Sequence, residues 1–185
     1  MTITSGFFNS VNHDRTYDAE QISSIFDGII KDGVYESIGD AFMVTPNSDL
    51  NDSIIVGTGR AWFDHTWTLN DAQFSLTLDE PNTLYGRIDY VVIDVNREQD
   101  VRANTLKIVR GTMSDNPQEP VLINTDRHKQ YPIAKIDVPA GASRKISASD
   151  ITYLVGTEKC PLVTGVLEAL NITNYFKQYD AEFNE

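Results

Sequence analysis

The sequence holds few groups that could make or break bonds, and they are poorly spaced for it. His13, His65 and His128 stand far apart, without the i, i+4 pairing or the accompanying cysteine pair that marks a zinc site. Each reads as a polar residue of a strand or turn. The run Asp94-Val95-Asn96-Arg97-Glu98-Gln99-Asp100 places oxygen-bearing side chains at alternate positions, as a calcium loop does. There, however, Gln99 replaces the glycine of the sharp turn, Arg97 adds a competing cation, and the closing bidentate glutamate is missing. A hairpin loop is the better reading. Gly57-Thr58-Gly59 lacks the lysine and helix N-terminus of a phosphate cradle and is read as a turn. No G-x-S-x-G elbow is present, and sequence alone assigns no pair of carboxylates as acid and nucleophile. No catalytic residue, cofactor or metal is expected, and the chain is read as non-enzymatic.

The strongest ligand-binding hint is Ala61-Trp62-Phe63-Asp64-His65-Thr66-Trp67. Its amphipathic rings could contact a glycan through Trp62 or Trp67. In a single strand, alternation puts Trp62 and Asp64 on one side and Phe63, His65 and Trp67 on the other, so one platform would use only some of them. Core packing or a subunit interface is the preferred use, and a carbohydrate-binding module for a cell-wall glycan is the alternative.

These groups must be positioned by one main domain, since 185 residues with 41% hydrophobic side chains suffice for one sizeable core. The net charge of −12 repels phosphate backbones and anionic bilayers, so neither nucleic acid nor membrane is expected as a partner. The first ten residues lack the basic and apolar regions of a signal peptide, and export is not expected. Cys160, the single cysteine, has no internal disulfide partner and is read as an inert buried thiol before Pro161.

Asp18 is a capping residue with Gln21 three positions on, and Ile22, Ile25, Phe26, Ile29 and Ile30 follow at helical spacing. This predicts an amphipathic helix closed by Gly33. From Ala41 to Val138 the period becomes two, as in Phe74/Leu76/Leu78 and Ala134/Ile136/Val138, while Ile88–Val95 is apolar on both parities, as in a central strand covered on both sides. Turn residues punctuate these runs at Pro46–Asp52, Gly57–Gly59, Asp79–Asn82, Asn96–Asp100, Ser114–Pro120 and Pro139–Ser143. No gap is long enough for a helical crossover, which argues against α/β folds. Pro161 could open a second helix with Leu162, Val163, Val166, Leu167 and Leu170, and Tyr175, Phe176, Tyr179 and Phe183 would form a stripe beyond it. The expected fold is mainly β, an antiparallel β-sandwich or jelly-roll-like domain with an N-terminal helix and a C-terminal helical segment. Its divisions are an arm and helix over 1–39, the sandwich over 40–158 and a helical segment over 159–185.

The order of several motifs carries a resemblance. They are Gly6-Phe7-Phe8-Asn9-Ser10, Arg15-Thr16-Tyr17-Asp18-Ala19-Glu20-Gln21 running into Ile25-Phe26-Asp27-Gly28-Ile29-Ile30, and Gly57-Thr58-Gly59-Arg60-Ala61-Trp62-Phe63. Arg87-Ile88-Asp89-Tyr90-Val91-Val92, Val109-Arg110-Gly111-Thr112, Pro117 and Pro120, Tyr131-Pro132-Ile133-Ala134 and Cys160-Pro161-Leu162-Val163-Thr164-Gly165 follow. In these the chain resembles baseplate and receptor-binding-complex proteins, which anchor tail fibres in tailed phages, prophages and phage-tail-like particles of Gram-positive bacteria. The resemblance implies a virion tail protein, assembled in the bacterial host cytoplasm, that docks onto tail-tip proteins and supports receptor binding. It favours a homo-oligomer, specifically a trimer. Proteins of this kind often continue further, so a region contacting a cell-wall saccharide would lie beyond Glu185. The partner surface is expected at Phe7, Phe8, Ile22, Ile25, Phe26, Ile29, Tyr175, Phe176 and Tyr179. Phe7 and Phe8 fit either a partner's apolar groove or packing across this chain's own sheet edge. The aromatic stripe fits the start of an oligomeric stalk, or packing on the sandwich or a neighbour.

Overall fold

A computed structural model of the protein describes residues 6–14, 16–50, 52–141 and 145–165. The chain divides into two compact units, one formed by residues 1–31 with 164–185 and the other by 32–163.

The larger unit is mainly β. Its strands are β1 (Gly33–Gly39), β2 (Val44–Pro46), β3 (Ser53–Val56), β4 (Gly59–Phe63), β5 (Thr66–Asn70), β6 (Phe74–Thr77), β7 (Arg87–Asn96), β8 (Ala103–Val109), β9 (His128–Val138) and β10 (Ile151–Tyr153). They form three sheets, ordered β1-β4-β5, β2-β3-β6 and β10-β9-β7-β8. Every strand pairing is antiparallel. This is the consequence of short connections, which can turn a chain back on itself but cannot carry a crossover.

β7 forms the middle of the largest sheet, and Tyr90, Val91, Val92, Ile93 and Val95 are all buried, as its double-sided apolar run predicts. In β9, Ala134, Ile136 and Val138 are buried and Lys135 and Asp137 partly exposed, the expected alternation. The β7–β9 register slips between Val91 and Val92, whose partners are Ala134 and Pro132, leaving Ile133 as the extra residue. Pro132 has no N–H for a ladder, so a bulge is the place where a central strand can hold it. All three sheets contribute to one core: Val34, Ala61 and Phe63 from the first, Val44, Ile54 and Val56 from the second, Val91, Ile93 and Ile136 from the third.

In the smaller unit, Asp18 caps the helix as expected, accepting from the Gln21 N–H at 2.8 Å while Gln21 Oε1 accepts from the Asp18 N–H. The helix itself is much shorter than its periodicity suggests. α1 covers Ala19–Ser23 and a 3-10 turn covers Ser24–Phe26. The residue that ends it in the left-handed conformation is Gly28, at φ 76°, and not Gly33, which opens β1. One helical turn adds few hydrogen bonds beyond its costly nucleus, so apolar spacing alone could not propagate it past Gly28. The helix expected to start at Pro161 is also absent over the described residues 161–165. Those residues are extended, with Leu162 bridging Val34 in the larger unit and Gly165 bridging Ile30 in the smaller. The rest of that expected helix, with Val166, Leu167, Leu170, Tyr175, Phe176, Tyr179 and Phe183, lies outside the described residues.

Two glycines stand at the closest backbone approaches. A Cβ on Gly111 would lie 2.0 Å from the Ile88 carbonyl oxygen, and one on Gly33 would lie 2.4 Å from the Leu162 carbonyl carbon and the Val163 nitrogen. Gly28 has nothing within 4 Å of such a Cβ, so it needs only its positive φ. Gly33→Ala and Gly111→Ala should each cost about 3 kcal/mol or more, against about 1 kcal/mol for Gly28→Ala. Denaturant titration of the three variants checks the order.

Candidate functional site

The aromatic cluster is built by the β4–β5 hairpin. Asp64 and His65 form its two-residue turn, both at positive φ (47° and 63°), as a type I′ turn requires. The turn sets the register, pairing Phe63 with Thr66 and Trp62 with Trp67. Residues directly opposite each other share a face, so the two tryptophans lie side by side. This corrects the separation expected from single-strand alternation, because the turn restarts the count. Ala61 and Phe63 point the other way into the core.

The outward face of this hairpin carries Arg60, Trp62, Trp67 and Leu69. Trp67 is 60% exposed, and Leu69 and Arg60 are also exposed, while Trp62 is half-buried. The Arg60 guanidinium carbon lies 5.9 Å from the Trp67 ring centre and 5.8 Å from that of Tyr35 on β1, within cation–π range of both. No pattern in the sequence brings Tyr35 and Arg60 together, because the strand pairing that gathers them is not local.

The platform is held from beneath. Asp64, 7% exposed, accepts hydrogen bonds from Lys129 Nζ of β9 at 2.6 Å and Arg97 Nη1 at 3.0 Å. Its own N–H donates to the Asp32 carboxylate at 3.2 Å. Burial by itself would raise the Asp64 carboxyl, but the hydrogen bonds and charges of Lys129 and Arg97 outweigh it and hold the group below the ordinary aspartate range. Asn104 Nδ2 of β8 donates to Thr66 Oγ1 at 2.8 Å, Thr68 Oγ1 at 2.9 Å and the Trp67 carbonyl at 3.3 Å. Phe63 stacks on Tyr131 of β9, ring centres 3.9 Å apart. Arg97 therefore serves as an anchor, where the sequence suggests only a hairpin loop.

The remaining buried charges are also paired. Arg87 and Asp89, each 1% exposed, form an ion pair at 2.9 Å; Arg87 also donates to the carbonyls of Asp79 and Glu80, and Asp89 accepts from the Gly111 N–H. Asp94 accepts from Lys107 and Gln130 and is hydrogen-bonded to His128 Nε2, each at 2.8 Å. Burial pushes the Asp94 carboxyl up, and these partners more than reverse it. His128 is thus a structural partner, His65 a turn residue, and His13 belongs to the other unit. Among the described residues no cluster of three or more His, Cys, Asp or Glu could hold a metal ion. An open groove of about 560 Å³ runs beside β9, where Lys159 bridges Glu119 and the Tyr90 hydroxyl. Asp94–Asp100 forms the β7–β8 hairpin and its loop.

The expected partner residues of the smaller unit are exposed: Phe7 at 72%, with Phe8, Ile22, Ile25, Phe26 and Ile29. Phe7 stacks on Tyr17 at 5.9 Å, and the Tyr17 hydroxyl accepts from the Phe8 N–H at 3.0 Å, so the arm is folded on itself locally.

Two measurements test these assignments. Asp64 and Asp94 have lowered folded-state values, so their stabilisation is present above the unfolded aspartate value of about 3.9 and lost as pH falls through the folded values. Asp64→Asn keeps a residue suited to positive φ but removes the charge. It should cost about 2 kcal/mol at neutral pH, less than the roughly 3–5 kcal/mol for breaking a fully buried pair, because Lys129 and Arg97 keep some water. The deficit should shrink below about pH 4, as followed by urea unfolding. Burial pushes the Cys160 thiol up to about 12. Iodoacetamide should therefore leave it unmodified in the native protein and label it fully in denaturant, read by mass spectrometry.

Compared with models of protein families, with curated proteins and with solved structures, the chain matches none, so the role of these surfaces is argued from their residues.

Proposed function

We propose that the chain is a structural component of a phage tail baseplate or fibre-anchoring region, docking onto tail-tip proteins and supporting host receptor binding without catalysing a reaction. The observation that carries this reading is the row of large apolar side chains exposed along the arm, Phe7, Phe8, Ile22, Ile25, Phe26 and Ile29. Burying one such side chain contributes about 1.5–3 kcal/mol, so a partner's groove covering several would hold the arm firmly. The ordered motifs from Gly6-Phe7-Phe8 to Cys160-Pro161-Leu162 point to the tail of a virion as the setting. In this reading the three sheets close on their shared core as a sandwich, the arm carries the docking surface, and the assembled form is a trimer. The buried charges support a rigid larger unit, since they are satisfied within it.

Replacing Phe7, Ile22 and Phe26 together by serine tests the arm in the parent particle. The variant should keep the circular dichroism of the native protein and fail to enter assembled particles. Normal incorporation would overturn the proposal. Light scattering of the native chain should give three times its 20.7 kDa mass.

A further inference from the structure

We infer that the outward face of the β1-β4-β5 sheet binds a saccharide bearing an anionic group, with Trp67 and Trp62 stacked against sugar rings and Arg60 holding the anion. The inference is independent of the tail assignment and concerns the larger unit alone.

Three features of the face select this ligand. The first is its charge. In a chain of net charge −12, Arg60 is exposed and, among the described residues, makes no ion pair or hydrogen bond; its contacts are the rings of Tyr35 and Trp67. Here the guanidinium lies near two aromatic rings with its donors left over, which suits bidentate capture of a carboxylate or phosphodiester. The second is shape. Trp62 and Trp67 are directly opposed on adjacent strands, so their indoles present neighbouring apolar surfaces next to the cation. Sugar rings combine apolar C–H faces with polar edges, and an amphipathic platform meets both needs. The third is size. Three strands of five to seven residues cover roughly 10 Å by 20 Å, about 200 Å², far from the roughly 800 Å² per side of a stable protein interface, yet room for a short run of sugar rings.

The platform is also preformed. The Asp64–His65 turn is pinned by Lys129, Arg97 and Asp32, and β5 is held by the three hydrogen bonds from Asn104. Little ordering cost therefore remains on binding.

The test titrates the full chain and follows its tryptophan fluorescence. The probes are hexagalacturonate, a glycerol-phosphate-linked oligosaccharide, neutral cellohexaose and inorganic phosphate alone. At least one of the first two should bind, about tenfold or more tighter than cellohexaose, while phosphate alone leaves the signal unchanged; which one binds separates carboxylate from phosphodiester as the source of charge. Arg60→Gln should abolish the preference for the charged probe, and Trp67→Ala should weaken binding about tenfold or more while Trp67→Phe retains it. Equal binding of charged and neutral probes, no response to any saccharide, or full binding by Trp67→Ala would overturn the inference. So would a fall in oligomer mass in Trp67→Ala, which would assign the face to a contact between copies of this chain. Both side chains are exposed, so unchanged thermal unfolding is expected. If Trp67→Ala does not fold, Arg60→Gln decides alone.

Discussion

The carboxylate of Asp64 is the tie on which the arrangement of the larger unit depends. It lies in a two-residue turn of one sheet and accepts from Lys129 and Arg97 beside another. Without it the tip of the β4–β5 hairpin would lose both of its cationic partners, leaving the pairing of β4 with β1, the core contacts of Ala61 and Phe63 and the Asn104 hydrogen bonds to hold it. With it, the hairpin is fixed at its tip by charge and along its length by the core, and Asn104 secures its outer strand. The left-handed φ of Asp64 and His65 makes this possible, since the tight turn delivers the carboxylate to its partners and sets the register behind it.

The same economy runs through the rest of the β unit. Val91, Val92, Ile93 and Val95 fill both sides of β7, so the polar groups that the strand carries, Arg87, Asp89 and Asp94, are buried as well. The acidic residues that do enter the interior, Asp64, Asp89, Asp94 and Asp150, each meet a cation or several hydrogen-bond donors, as the cost of burying an uncompensated charge demands. The arm differs in kind. Its short capped helix and the Phe7–Tyr17 stack give it local order, but much of its apolar surface stays in water.

Features set by neighbours along the chain were legible in the sequence. The Asp18–Gln21 box, the double-sided run of β7, the alternation in β9 and the hairpin at Asp94–Asp100 all follow from local spacing. Features set by pairing were not. Alternation in one strand cannot say where the count restarts, so it puts Trp62 and Trp67 on opposite faces, whereas the turn pairs them on one. Helical spacing from Ile22 to Ile30 hid the glycine that breaks it, because Gly28 and Gly33 look alike as stop signals and only one adopts positive φ. Tyr35 carries no motif, and Arg60 stands in Gly57-Thr58-Gly59-Arg60-Ala61-Trp62-Phe63 with no role of its own legible there. Their significance comes from a cross-strand cation–π arrangement, and Arg97 gained its anchoring role from an aspartate 33 positions earlier.

The Arg87–Asp89 pair constrains how this fold can change over generations. Both side chains are sealed from water and bound to the carbonyls of Asp79 and Glu80 and the N–H of Gly111. A buried pair of this sort can be replaced as a whole by apolar residues at little cost, whereas losing one partner strands the other charge in the interior. Drift at these two positions must therefore pass through a strongly disfavoured intermediate or change both codons together. Descendants of this chain should carry the two residues as a linked unit, long after freer positions on the surface have diverged.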